Sequence, residues 1–129
     1  MVKRLRVEVS REVLDSIITY ALTLHPREGV LLLRGRVERG VIKVEDLLIP
    51  PFATRGRGFS AIPLFYLPID FSIVGTVHSH PSGSLNPSAE DLNNAYGRIV
   101  MIIAYPYRGL ENLAAYSKDG KRLPVGLSF

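Results

Sequence analysis

The sequence predicts an α/β domain with a mixed central sheet. Apolar runs of strand length recur along the 129 residues, one segment has clear helical periodicity, and a strand-loop-helix unit interrupts the later runs. With 47% hydrophobic residues, a chain of this length suits one compact domain over 1–129, burying roughly two thirds of the surface its unfolded form exposes.

Residues 2–9 alternate, with Val2, Arg4, Arg6 and Glu8 set against Lys3, Leu5, Val7 and Val9, as a half-buried strand does. Ser10 then offers an N-cap. Val13, Leu14, Ile17, Ile18, Ala21 and Leu22 recur at helical spacing until His25-Pro26, so a helix is predicted over 11–24. Val30–Leu33 and Val41–Leu48 read as paired strands, turned at Glu38-Arg39-Gly40. From 50 to 68, prolines, glycines, arginines and aromatics predict a long loop with one short strand near 59–64. Phe71–Val77 is a strand running into His78, and Ser88–Tyr96 a short helix. Ile99–Tyr105 and Asn112–Ser117 are strands, and Asp119-Gly120 turns the chain into a last strand over 121–127.

Composition narrows the chemistry. Without cysteine there is no disulfide, no thiolate metal site and no cysteine nucleophile, which fits a reducing cytoplasm. The basic N-terminus lacks the apolar stretch of a signal peptide, and the longest apolar runs are too short to span a bilayer, so no membrane partner is expected. The net charge of +4 comes from 12 arginines and 4 lysines, but they are scattered. No basic run is interleaved with aromatics as a nucleic-acid groove requires, so nucleic acid is not an expected partner.

The residues that carry chemistry lie between Val77 and Asp91, a stretch with two of the three histidines. If His78 and His80 continue the strand, their i, i+2 spacing points both rings to one face. Asp91 follows eleven residues after His80, across Pro81, Gly83 and Pro87, and can return its carboxylate to the same point. Two imidazoles and a carboxylate are a zinc ligand set that leaves a fourth position open. Ser88-Ala89-Glu90-Asp91 reads equally well as a capping box, and His78 and His80 as polar residues at a strand end. From this chain's own frequencies, H-x-H-x7-S-x2-D arises by chance roughly 2 times in 10,000. His25, alone at a helix end, reads as a dipole contact and is left out of the metal set.

His78-Ser79-His80-Pro81, Ser88 and Asp91 match without gaps the H-[ST]-H-P-x6-S-x2-D motif of the JAMM, or MPN+, family, which this sequence therefore resembles. Pro26-Arg27-Glu28-Gly29-Val30-Leu31-Leu32-Leu33-Arg34-Gly35 resembles the family's upstream P-x-E-x-x-G-x-L-x-G, with Leu31 where the first glycine is usual. The resemblance covers nearly the whole chain. It implies a curved mixed sheet flanked by helices, similar to cytidine deaminases. It also implies one zinc ion per chain held by His78, His80 and Asp91, with Glu28 as general acid/base and Ser88 as donor to the oxyanion. The implied activity is hydrolysis of isopeptide or peptide bonds after the C-terminal Gly-Gly of ubiquitin-like modifiers, which with their conjugates are the implied partners.

Little chain lies between the helix near 88–96 and the strand at 99, unlike relatives selective for one type of ubiquitin linkage, which carry an insertion there. The short, cysteine-free form looks more like archaeal desampylases or bacterial members that process sulfur carriers. By the same resemblance the modifier's tail adds as a strand beside 53–68, with Arg55, Arg57 and Phe59 as contacts. Core cover for Phe59 and solvated charge for the arginines are the plain alternatives. A homodimer is open. Two other functions compete: a non-catalytic MPN scaffold, which the complete residue set opposes, and a deaminase, whose H-x-E and P-C-x-x-C elements are absent.

Overall fold

A computed structural model describes residues 5–50, 72–93 and 95–128. Its element order is β1 (Arg6–Ser10), α1 (Arg11–Leu24), β2 (Val30–Glu38), β3 (Val41–Leu48), β4 (Ile73–His80), α2 (Ala89–Asn93), β5 (Ile99–Ala104), a 3₁₀ turn (Leu110–Asn112), β6 (Leu113–Ser117), β7 (Arg122–Leu123) and β8 (Val125–Ser128). The strand predicted near 59–64 lies outside the described residues.

Helix α1 keeps its predicted bounds because both ends are chemically marked. The Ser10 hydroxyl accepts from Val13 N at 3.1 Å, and Pro26 follows the last turn. Val13, Leu14, Ile17, Ala21 and Leu24 are buried, while Leu22, expected in the stripe, is 55% exposed. Strands β2 and β3 join at Arg39-Gly40, both at positive φ (52° and 81°), as a tight hairpin requires.

The eight strands among the described residues form one sheet in the order β7-β6-β5-β4-β2-β3-β1-β8. It is mixed: β1 runs parallel to β3 and β8, β4 parallel to β5, and the other pairs are antiparallel. The last predicted strand is in fact two. Pro124 has no N–H to continue a ladder, so the chain leaves β6 as β7 and joins β1 as β8. Strands at opposite ends of the order are thus one residue apart in sequence, roughly 7 Å of chain, and the sheet must curl until its ends meet.

Helices cover both faces. Ile99, Met101 and Ile103 of β5 join the main core with Val13, Leu14 and Ile17 of α1. The alternate residues Val100 and Ile102 pack on the other side with Ala114, Tyr116 and Leu92 of α2. Burial on both faces explains why β5 is apolar without alternation. Leu31 sits in the main core, so the family's first glycine position holds a packing side chain here. Helix α2 is shorter than the predicted 88–96. Gly97, at φ +92°, brings the chain against the backbone of Val74 and Gly75, so the crossover into β5 is already under way.

Gly35 marks a shift of register in the β2–β3 ladder, where an added Cβ would lie 1.8 Å from the Lys43 carbonyl oxygen. Because the obstacle is backbone, Gly35→Ala is expected to lower stability by about 1–3 kcal/mol in urea unfolding. Gly126→Ala, whose Cβ meets nothing within 4 Å, is the control and should change stability much less.

Candidate metal centre

Strand β4 is central, antiparallel to β2 and parallel to β5, and every residue in it is buried. His78 pairs with Val30 on one side and Ile102 on the other. Paired residues share a face, and Ile102 packs on the α2 side, so His78 and His80 both project toward α2. The strand therefore does run on through both histidines.

Asp91 meets them from the first turn of α2. Its Oδ2 lies 3.0 Å from His80 Nε2, and its Oδ1 lies 3.5 Å from His78 Nδ1. The capping box forms as well: Ser88 N donates to Asp91 Oδ2 at 2.9 Å, and Asp91 N donates to the Ser88 hydroxyl at 3.0 Å. Helix capping and the approach to the histidines thus use the same carboxylate. The cap holds it at the histidines, and the Ser88 hydroxyl, which only accepts here, keeps its proton to donate on an exposed surface.

The connecting loop has a second task. His80 Nδ1 lies 2.9 Å from the Ser84 carbonyl, which can only accept, so Nδ1 carries the hydrogen and Nε2 presents its lone pair toward Asp91. A lone pair facing a carboxylate oxygen at 3.0 Å needs a cation between them, either a proton or a metal. Tyr116 steadies the loop by donating its hydroxyl to the Leu85 carbonyl at 2.7 Å. Sequence reading missed Ser84 and Tyr116, because a carbonyl and one core tyrosine leave no motif.

Electrostatics agree with this arrangement. Burial alone would raise the Asp91 carboxyl, but the His80 hydrogen bond, His78 and the Ser88 amide outweigh it and hold it at about 2. His80 is raised: burial pushes it down, but Asp91, the Ser84 carbonyl and Glu28 prevail. Burial lowers His78. Glu28 is raised, chiefly by burial, then by Asp91 and Glu90 against the opposing pull of His80. These mutual effects put Glu28 within the field of the His78–Asp91–His80 cluster, two residues before β2, whose first residue Val30 pairs with His78 near the end of β4.

The cluster tests well against a metal. Among the described residues His78 Nε2 is buried without a hydrogen-bond partner, a costly state for a ring nitrogen and one that coordination relieves. Tetrahedral bonds of about 2.0–2.1 Å separate neighbouring ligand atoms by roughly 3.3 Å. The 3.0 Å between His80 Nε2 and Asp91 Oδ2 is close to that spacing, whereas His78 faces Asp91 with Nδ1, so its Nε2 would have to turn toward the carboxylate to share an ion. The side chains pair through Asp91, and among the described residues no three His, Asp or Glu side chains stand in a ready-made metal cage, so loading requires the His78 ring to reorient.

His25 is outside the cluster, but its expected contact with the helix end is not what its ring makes. Nδ1 lies 2.9 Å from the Tyr107 hydroxyl, and the ring stacks on Tyr105 at 4.8 Å. Arg55, Arg57 and Phe59 lie outside the described residues. No helix among those described is long and apolar enough to cross a membrane.

The family described as prokaryotic homologs of the JAB domain matches residues 10–116. A probable metalloprotease from Haloferax volcanii is 34% identical over 122 residues, covering 89% of this chain and 75% of that protein. A JAB1/MPN domain protein from Archaeoglobus fulgidus superposes with TM-score 0.70 at 30% identity, over 95% of this chain and 99% of that one. A structure described as a JAMM metalloprotease-like zinc site in the proteasome and signalosome gives TM-score 0.67 at 28% identity, over 96% and 99% of the two chains.

Asp91 binds its proton less readily when folded, so its contribution to stability is present above pH 4 and is lost as pH falls toward 2. Chelator-treated protein should lose stability across that window in denaturant titrations, and Asp91→Asn should flatten the loss. Ser88→Ala, which removes the cap, should cost about 1 kcal/mol at neutral pH in the same assay.

Proposed function

The chain belongs to the family of prokaryotic homologs of the JAB domain, and on that premise we propose that it is a zinc-dependent peptidase. Its proposed substrates are ubiquitin-like modifiers, cut after their C-terminal Gly-Gly from fusions or isopeptide conjugates. The observation that carries the reading is the buried His78–Asp91–His80 cluster, in the field of Glu28 and with a His78 nitrogen that has no hydrogen-bond partner among the described residues.

His78, His80 and Asp91 would hold one zinc ion per chain. Bound zinc supplies a Lewis acid that acidifies water toward neutral pH and polarises a carbonyl. Glu28 moves the proton: its carboxylate takes one from the attacking water as oxygen adds to the carbonyl carbon. It returns that proton to the amine nitrogen as the C–N bond breaks. A carboxylate raised by burial is a stronger base than an exposed one, which suits this exchange. Ser88 donates its hydroxyl hydrogen to the carbonyl oxygen as negative charge gathers there. Asp91, held near 2 by its partners, stays ionised throughout the physiological range.

The substrate assignment rests on family membership; Ser88 is exposed and so open to a substrate carbonyl. Arg55, Arg57 and Phe59 are proposed contacts of that tail.

Metal analysis paired with cleavage of a ubiquitin-like fusion tests the reading. The protein should carry one zinc per chain and lose cleavage to chelator. Glu28→Gln should keep its zinc and lose activity by several orders of magnitude, and Ser88→Ala should lose on the order of 10²-fold in kcat. A folded protein that takes up no zinc, or undiminished cleavage by Glu28→Gln, rejects it.

A further inference from the structure

Ser79 stands between the two histidines and has no part in the mechanism above, yet it is 2% exposed and bonded twice to one residue. Ser79 N donates to the Gly29 carbonyl at 3.0 Å, and Gly29 N donates to the Ser79 hydroxyl at 2.8 Å. In a continued antiparallel ladder the second bond would go to the Ser79 carbonyl. Here the side chain takes that place, at the pair just beyond Val30 and His78. The amide so bound belongs to the peptide linking Glu28 to Gly29.

Gly29 is confined from the other side too. An added Cβ would lie 2.3 Å from Leu24 Cδ1 and 2.6 Å from the Tyr20 ring, so the segment is pressed against α1. Arg27 N also donates to the Leu24 carbonyl at 2.8 Å. Glu28 therefore leaves the sheet with its backbone held by the helix before it and by Ser79 after it. We propose that Ser79 is the positioning residue for Glu28: its hydroxyl ends the β2–β4 ladder with a side-chain bond and so sets where that carboxylate stands relative to the ligand strand.

The proposal rests on the catalytic assignment of Glu28, but its first readout does not. Gly29 amide exchange, followed by NMR, should be slow in the native protein, faster by about tenfold or more in Ser79→Ala, and slow again in Ser79→Thr, which keeps the hydroxyl. In zinc-loaded protein acting on a ubiquitin-like fusion, Ser79→Ala should lower kcat on the order of 10–100-fold. KM and zinc content should hold, and Ser79→Thr should restore kcat. If Ser79→Ala does not fold, Ser79→Cys, with its weaker acceptor, takes its place. Unchanged Gly29 exchange, unchanged kcat with only a lower Tm, or loss of zinc each overturns the positioning role. Absence of zinc and cleavage in the unmutated protein defeats the functional reading instead, and Gly29 exchange still decides the anchor.

Discussion

Strand β4 anchors both the sheet and the candidate site. It is bonded along one edge to β2 and along the other to β5, and buried on both faces, so it cannot shift without breaking two ladders and two layers of packing. Its carboxyl end carries His78 and His80. The antiparallel partner brings Glu28 to that end from fifty residues upstream, and the parallel partner forces the chain to cross over through α2, which returns Asp91. One strand thus gathers three separated pieces of sequence.

The polar groups assembled there are expensive to bury, and the structure offsets that cost locally. Asp91 is the hub: one oxygen serves the Ser88 amide and His80, the other faces His78. An isolated carboxylate at this depth would tend to take up a proton, yet these partners keep it ionised. One nitrogen, His78 Nε2, has no hydrogen bond among the described residues, and burial favours the neutral ring. A neutral ring with an unpaired nitrogen beside a firmly ionised carboxylate is the electronic state a metal ligand needs. His80 differs: Asp91 and the Ser84 carbonyl favour its protonated ring, and a metal would have to displace the proton from Nε2.

Much of this was legible in the residues. Ser10 and Pro26 bracket α1, and the alternation of Val7 and Val9 with Arg6 and Glu8 marks β1. The i, i+2 histidines and Ser88-x-x-Asp91 name the site, because strand and helix geometry act over a few residues and leave their period in the chain. Ser84, Ser79 and Tyr116 were not legible. Their roles come from a carbonyl, a hydroxyl replacing a main-chain acceptor, and a bond across 31 residues, none of which marks a sequence. The split of the last strand at Pro124 was missed for a related reason: which edge a short strand joins depends on how far the sheet has already curled.

Local chemistry, then, could be read from the residues alone: where helices start, which faces are apolar, and which side chains can bind a cation or move a proton. Folding in three dimensions set the rest: Glu28 in the field of His80, a loop carbonyl fixing the histidine tautomer, and a sheet whose two edge strands are joined through Pro124. The physical reason is range. Propensity, capping and ligand spacing act between neighbours in the chain, whereas strand pairing and burial join residues that only folding brings together.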